Sequence, residues 1–256
     1  MNEGRTSSGG ELRVLAVRGL PELSEGMALG QLIAERAEPV EGDVVVVSQK
    51  VVSKAEGRVR LLSSVLPGGE ARRLAAVLGK EPALVQLILE ESKAILRAER
   101  GVLITETRHG FICANAGVDS SNLPEPGTAC LLPEDPDASA RRIRAELRAA
   151  VGANVGVVIS DSFGRAWRLG QAEVAIGCAG FSPLDDWRGR ADSHGRQLEA
   201  TLIAVADEAA AAADLVRGKD SRIPAAILSG LGRFLIEDDG PGAAALRRPQ
   251  DEDLFR

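Results

Sequence analysis

The chain has 256 residues, of which 45% are hydrophobic and 27% charged, a composition typical of a globular protein and not of a disordered, collagen-like or coiled-coil chain. Its formal net charge is -6, only 3% of its residues are aromatic and Tyr is absent. No nucleic acid partner is expected, because phosphate backbones need a basic surface and unstacked bases need aromatic platforms. No apolar run reaches the roughly 18 residues that span a membrane, and the polar N-terminus is not a secretory signal, so the sequence predicts a cytoplasmic protein without a membrane segment.

Cysteine and histidine content limits the kinds of metal site. Cys113, Cys130 and Cys178 are widely spaced and form no CxxC motif, which predicts buried reduced thiols and argues against a zinc site or a disulfide framework. His109 and His194 are the only histidines. Any metal is therefore expected to be a hard ion such as Mg or Mn, held by carboxylates.

The first half of the chain predicts strands and helices in alternation. Residues 1–10 are Gly- and Ser-rich and are predicted to be a disordered extension. A strand starts at residue 11, and helical spacing follows at 27–37. A run of four valines, residues 44–47, is typical of a strand buried on both faces. Residues 70–98 predict two helices, broken near Pro82.

The second half continues the alternation. Residues 101–122 predict a hairpin, and Asp135 with Pro136 predicts a helix start that leads to about residue 150. Residues 154–180 read as a buried strand, a polar loop and an apolar segment. A long helix is predicted over 196–219, then a short strand, and a loosely ordered C-terminal segment. The pattern predicts a mixed α/β (α+β) fold, and the hairpin argues against a purely parallel sheet.

Two polar clusters follow apolar strands, where α/β proteins usually place their sites. Gln49 and Lys50 follow the valine strand, with Lys54 four residues later; these lysines either meet phosphates or form a solvated strand end. Asp119 and Asn122 lie in the segment AGVDSSN. There Asp119 either faces a ligand or caps its own backbone in an Asx-turn, and Asn122 suits a guanine, ribose or phosphate edge.

The third cluster is the segment ISDSFGRAWRLGQAEVAIG, residues 159–177. Asp161 beside Ser162 is a common arrangement for holding Mg at a phosphoryl-transfer site. Arg165 and Arg168 could grip a carboxylate or a phosphate, and the alternative is a structural ion-pair loop.

Three motifs of common enzyme classes are absent from the sequence. The chain contains no GxxxxGK[ST], no GxGxxG after a strand and no GxSxG. The fold is therefore expected to be neither P-loop nor Rossmann, and a serine-hydrolase triad has no support. The residues by themselves indicate an α/β enzyme with a carboxylate-held metal near anionic substrates.

Taken together, the segments SQKVVSKAEGR, FICANAGVDSSN and VISDSFGRAWRLGQAEVAIG resemble the coenzyme F420:L-glutamate ligase family, over roughly residues 11–240. The resemblance implies a two-lobed ligase fold with mixed sheets over residues 11–245. The residues at 246–256 themselves predict a loosely ordered tail. It implies GTP-dependent addition of L-glutamate to the F420 precursor through an acyl phosphate, with release of GDP and phosphate. It also implies Mg or Mn, with two divalent ions, together with potassium and a homodimer.

The resemblance assigns roles position by position. Asp119, Asp161 and Ser162 would hold the metal ions, with Glu208 a further metal candidate from its expected place on the inward face of a helix. Asp119, Asp161, Arg165 and Arg168 would be catalytic. The residues that would contact the nucleotide are Leu20, Pro21, Glu22, Leu23, Gln49, Lys50, Lys54, Asn122, Gly218 and Lys219, the last two in a segment at 217–224 that would close over it.

Two departures from the family pattern and two other functions remain open. Ser162 stands where the family commonly has Thr, and Glu173 stands where Asp is more usual, which leaves the role of Glu173 open. The chain could instead be a GTP- and metal-binding sensor without catalysis, or an amide ligase for another acidic acceptor.

Overall fold

The structure is a computed structural model that describes residues 10–121 and 123–254. Its α-helices are α1 (Leu29–Ala37), α2 (Gln49–Ala55), α3 (Gly69–Leu78), α4 (Pro82–Glu90), α5 (Pro136–Val151) and α6 (Val205–Asp214). Its strands are β1 (Arg13–Val17), β2 (Val44–Ser48), β3 (Val59–Leu61), β4 (Ser92–Glu99), β5 (Val102–Thr107), β6 (Ile112–Ala114), β7 (Thr128–Cys130), β8 (Gly156–Arg165), β9 (Arg168–Ala179), β10 (Asp185–Asp186), β11 (Leu202–Ile203) and β12 (Ala225–Ser229).

The main sheet has five strands in the order β1-β12-β2-β8-β9. Only β2 and β8 pair in parallel within it, and the other neighbours are antiparallel. Val45 and Val47 of β2 face the core shared with α1 and α5, whereas Val44 and Val46 face the core shared with α6. The prediction of a valine strand buried on both faces is therefore confirmed.

Helix α5 begins where its sequence predicts. The Asp135 side chain accepts a hydrogen bond from the backbone N–H of Ala138 at 2.9 Å, and Pro136 occupies the first turn. Gly152 follows the helix at φ 69°, in the left-handed region that favours glycine. The helix lies against β8 and β9 and so supports the strands that carry the site.

A smaller unit is inserted between α2 and α5. Its sheet has the order β4-β5-β6 and packs with α3 and α4 around a separate hydrophobic core that includes Leu74, Ile88, Leu103 and Leu131. The antiparallel pair β3–β7 links this unit to the end of α2. The mixed α/β fold class with mixed sheets is confirmed, while the boundaries at residues 11, 245 and 246 stay predictions, and residues 1–9 lie outside the described part of the chain.

One predicted helix is too long. The sequence predicts helices over residues 70–98, but α4 ends at Glu90 and Ser92–Glu99 is a strand paired with β5. Arg100 and Gly101 have φ values of 53° and 75°, so they form a tight turn between the two strands. Pairing with β5 outweighs the helical spacing, because tertiary contacts override local propensity.

Three further predictions in the second half need correction. The polar loop expected after Ser160 is a two-stranded ribbon, because β8 and β9 stay paired from Ser160 to Arg165. The helix predicted over 196–219 is shorter, and α6 covers only Val205–Asp214. The end of the chain is not uniformly loose, since Ala243 is fully buried in the α6-side core. Within the described residues, no helix is both long and apolar enough to cross a membrane.

Candidate active site

One edge of the main sheet collects the polar segments. Ser48, the last residue of β2, is in register with Ser160 of the parallel strand β8, so the residues that follow β2 lie beside Asp161 and Ser162 of β8 at the same edge of the sheet. Val17, which ends β1, pairs with Ala225, which begins β12, and brings their loops to this edge as well. A cavity of about 1120 Å³ lies there.

Most of the predicted site residues line this cavity. Those that do are Leu20, Pro21, Glu22, Leu23, Gln49, Lys50, Lys54, Asp119, Asp161, Ser162, Gly218 and Lys219. They come from positions 20 to 219 of the chain, so their shared cavity is a result of the fold and not of sequence proximity. Asp119 and Asp161 line the same cavity, and their roles as metal ligands stay predictions.

Lys50 fixes Asp119 at the wall of the cavity. Its Nζ donates to Asp119 Oδ2 at 2.6 Å and to the carbonyl oxygen of Ser121 at 2.8 Å. The backbone N–H of Ser121 also donates to Asp119 Oδ1 at 2.7 Å, as in the Asx-turn that was one of the two alternatives for this residue. Partial burial works against the ionised carboxylate, but Lys50 and Ser121 outweigh it and lower the pKa of Asp119.

Asp161 is the opposite case. Burial, followed by the nearby charges of Glu173 and Asp119, raises its pKa to about 7. The backbone N–H of Ser162 donates to Asp161 Oδ1 at 2.9 Å and offsets this only in part. The influence of Asp119 on this pKa shows that the two carboxylates are electrostatic neighbours. A cation placed between them would relieve the energetic penalty of ionising Asp161.

A hydrogen-bonded network surrounds Ser162. Its hydroxyl donates to Glu173 Oε1 at 2.5 Å and accepts from Lys219 Nζ at 2.6 Å. The other oxygen of Glu173 accepts from Arg217 at 3.2 Å, and Arg217 also donates to the hydroxyl of Ser160 at 3.0 Å. Glu173 and Arg217 are both buried, so this pair anchors the loop that follows α6 against the sheet.

Helix α2 supplies a second contact region. Lys54 forms an ion pair with Glu22, which joins the loop after β1 to α2. Gln49 is buried and accepts a hydrogen bond from Ser53 at 3.0 Å. These contacts place the Leu20–Leu23 segment as one wall of the cavity, next to the lysines.

Three predicted site residues do not line the cavity. Arg165 and Arg168 lie at the exposed tip of the β8–β9 ribbon, where Arg165 donates to carbonyl oxygens of its own turn. Neither is among the residues that line the cavity, and their catalytic role stays a prediction. Glu208 is exposed on α6, and the expectation that it faces inward is wrong; Asp207 faces inward and accepts from the backbone N–H of Ala175. Asn122 lies outside the described residues.

Sequence reasoning missed the structural importance of Arg217 and left Glu173 without a role. A buried arginine paired with a buried glutamate 44 positions away has no local signature in the sequence. Cys113 also lines the cavity, where burial and then the charge of Asp161 raise the pKa of its thiol to about 12, which keeps it protonated. Neither His109 nor His194 is among the described residues that line this cavity.

The carboxylates fit one particular kind of metal binding. Among the residues that the structure describes, no three His, Cys, Asp or Glu side chains converge to hold an ion by themselves. Mg²⁺ is commonly bound by one or two carboxylates together with substrate phosphates and water. Asp119 and Asp161 therefore fit an Mg or Mn ion whose remaining ligands are the phosphates of a nucleotide.

The chain is similar to known proteins over most of its length. The family model described as F420-0:gamma-glutamyl ligase matches residues 19–230. The chain is 43% identical over 251 residues to the coenzyme F420:L-glutamate ligase of Methanothermobacter thermautotrophicus, covering 96% of this chain and 99% of that protein. It is 45% identical over 252 residues to the protein of the same name from Methanopyrus kandleri, covering 96% of this chain and 100% of that protein.

The family match and these relatives define the chain as an enzyme of the ligase class. The chain belongs to the F420-0:gamma-glutamyl ligase family, which the match over most of its length shows.

Proposed function

We propose that this protein is a GTP-dependent γ-glutamyl ligase that joins L-glutamate to the precursor of coenzyme F420 and releases GDP and phosphate. The observation that carries the proposal is the shared cavity of Asp119 and Asp161, bordered by Lys50, Lys54 and Lys219. The names of relatives that are 43% and 45% identical to this chain supply the acceptor and the amino acid.

The chemistry follows from the poor reactivity of a carboxylate. An oxygen of the acceptor carboxylate attacks the γ-phosphorus of GTP, the bond from that phosphorus to the bridging oxygen of GDP breaks, and an acyl phosphate results. The amine of L-glutamate then attacks the acyl carbon, a C–N bond forms, the amine loses a proton and inorganic phosphate leaves. A phosphoryl group therefore converts an unreactive carboxylate into an electrophile before the amide forms.

The cavity residues have distinct roles in this proposal. Asp119 and Asp161 bind Mg or Mn, which supplies neutralisation of charge on the phosphates. Lys50 and Lys54 reduce the repulsion between anionic substrates, and the Leu20–Leu23 segment borders the nucleotide. The loop after α6, with Gly218 and Lys219, covers it. A requirement for potassium is a further proposal from the family resemblance. Omitting potassium from the assay tests this requirement.

We also propose that the protein is a homodimer. The β8–β9 ribbon exposes apolar side chains at its tip, where Leu169 is 98% and Trp167 76% exposed. Apolar side chains grouped on a projecting ribbon are typical of an association surface. In sedimentation velocity, the wild type should sediment as a dimer and Leu169→Asp as a monomer; a monomeric wild type would contradict this proposal.

One assay tests the proposed activity. The purified protein is incubated with GTP, MnCl2, L-glutamate and the F420 precursor, and the acceptor is analysed by mass spectrometry while GDP is measured by chromatography. A gain of one or more glutamyl residues together with GDP supports the proposal. GDP formed only with a different acidic acceptor would indicate another amide ligase, and bound GTP without GDP would indicate a sensor.

Isotope transfer tests the acyl phosphate. When the acceptor carboxylate carries ¹⁸O, the proposed route leaves one ¹⁸O atom in the released phosphate, because that oxygen bridges carbon and phosphorus in the intermediate. Phosphate free of ¹⁸O in reactions that form the amide would exclude this route.

A further inference from the structure

We propose that the ammonium group of Lys219 occupies the cation position beside Ser162 and Glu173, so that the protein binds one divalent ion, at Asp119 and Asp161, and not two. This inference rests on the proposed function, because it concerns the ions that accompany the nucleotide. It makes Lys219 the residue that sets the metal stoichiometry of the site.

The hydrogen bonds of Ser162 are the first step. A hydroxyl has one proton to donate and two lone pairs to accept with. The proton of Ser162 goes to Glu173 Oε1 at 2.5 Å, and a lone pair accepts from Lys219 Nζ at 2.6 Å. A divalent ion that used the Ser162 hydroxyl would therefore have to compete with an ammonium group already in contact with it.

The charge around Glu173 is the second step. Lys219 Nζ lies 3.9 Å from Glu173 Oε1, and Arg217 donates to Glu173 Oε2 at 3.2 Å. One carboxylate thus already has two cationic neighbours. A divalent ion added beside Glu173 would therefore meet two like charges at short range.

The contrast with Asp161 is the third step. Its Oδ1 accepts the backbone N–H of Ser162 at 2.9 Å, and among the described residues no cationic side chain lies within 4 Å of its carboxylate. Asp161 therefore has no ammonium or guanidinium partner that a metal ion would have to displace, whereas Glu173 already has Arg217 and Lys219 beside it. The two halves of the cavity differ in this way because Lys219 is a cation and not an acidic residue.

The loop after α6 keeps Lys219 in place. Arg217 is buried and bonds to Ser160, Glu173 and the carbonyl oxygen of Pro224, which fixes the backbone two residues before Lys219. The Lys219 side chain itself is 70% exposed, so its ion pair alone contributes little. The rigid attachment of Arg217 holds the ammonium group at the mouth of the cavity.

Counting bound Mn²⁺ tests the proposal. Electron paramagnetic resonance measures free Mn²⁺ during titration of the full-length protein in the presence of GDP. We expect one tightly bound ion per chain for the wild type and two for Lys219→Glu, in which a carboxylate replaces the ammonium group. Lys80→Glu is the matched control, since Lys80 does not line the cavity, and it should bind one ion.

Two results would overturn the proposal: two ions per chain in the wild type, or a count of one in a Lys219→Glu protein whose circular dichroism spectrum is that of the wild type. The wild-type count does not depend on any variant, so a misfolded variant leaves the test intact. A wild type that binds neither GDP nor Mn²⁺ would contradict the proposed function as well, whereas two bound ions would contradict only the role of Lys219.

Discussion

Lys50 Nζ lies 2.6 Å from Asp119 Oδ2. This contact joins α2, the helix that follows strand β2 of the main sheet, to the loop in which Asp119 pairs with Cys130 of β7 in the smaller unit. The two residues are 69 positions apart in the sequence. The wall of the cavity that carries Lys50 and Asp119 is therefore assembled from both units. Changes in either unit that shift this contact should alter nucleotide and metal binding together.

Asp161→Asn should abolish most of the GDP formation while the fold stays intact. The amide keeps the size of the side chain but removes the charge that the divalent ion needs. We expect kcat/KM to fall by about 100-fold or more, as for the loss of other groups that stabilise transition-state charge. The release of GDP measures this loss, and circular dichroism monitors the fold. Turnover at the wild-type rate would show that Asp161 is not part of the metal site.

Lys54→Ala should raise the apparent KM for GTP by about tenfold, which corresponds to about 1.4 kcal/mol of binding free energy. The ammonium group lines the cavity and pairs with Glu22. Its removal therefore costs a phosphate contact and loosens the Leu20–Leu23 segment, which forms one wall of the cavity. The metal requirement should change less. Lys80→Ala is the control outside the cavity, and an equal effect of both changes would count against a specific role for Lys54.

The raised pKa of Asp161 predicts a pH-dependent stability difference. The folded protein keeps a proton on Asp161 up to about pH 7, whereas the carboxyl in the unfolded chain ionises near 3.8. The folded state thus binds more protons between these values, and stability falls as the pH rises through this range. The Asp161→Asn variant does not lose stability in this way, because its amide does not ionise. In the presence of a chelator, its free energy of unfolding should exceed that of the wild type by on the order of 2–4 kcal/mol at pH 8 and by little at pH 4.

Urea denaturation at pH 4 to pH 8 measures this difference. A gap between the wild type and Asp161→Asn that is independent of pH would mean that Asp161 titrates normally in the folded protein.

Arg144→Met should destabilise the protein by about 3–5 kcal/mol, the usual consequence of breaking a buried charged network. Arg144 is 2% exposed and pairs with Asp239 at 2.6 Å. It also donates to the side chain of Asn154 and to backbone carbonyl oxygens of Val155 and of residues 236–238.

The matched control for this change is Arg148→Met, which alters an exposed arginine one turn later on the same helix. Its loss should stay below about 1 kcal/mol, because it removes only a surface charge near the helix C-terminus. Urea denaturation monitored by circular dichroism compares the two variants. Equal losses would mean that the Arg144 network does not stabilise the fold.

The sequence was most informative where a local rule determines the structure. The four valines of β2 and the Asp135 cap of α5 follow from burial and hydrogen bonding within a few residues, and both predictions are confirmed. Strand β4 was missed because its helical spacing is overridden by pairing with β5. Glu208 was misplaced because a difference of one residue on a helix turns a side chain from the core to solvent.

The site residues also divide into those that a local sequence pattern predicts and those that depend on distant contacts. Asp119 and Asp161 stood out because each follows a strand or a small-residue loop, and the fold brings both to one cavity. The buried pair of Glu173 and Arg217 could not be predicted, because its partners are 44 positions apart and no motif links them. The charge of Arg165 predicted a place in the site, but Arg165 ends β8 at the tip of the ribbon and does not line the cavity.

A double-mutant cycle on Mn²⁺ affinity tests most directly whether Asp119 and Asp161 bind the same ion. Isothermal titration calorimetry with GDP present compares the wild type, Asp119→Asn, Asp161→Asn and the double variant. If the two carboxylates share one ion, each single change removes most of the affinity and the double variant is little weaker than either, so the free-energy losses are far from additive. Wild-type affinity in either single variant, or losses that simply add, would contradict a shared metal site.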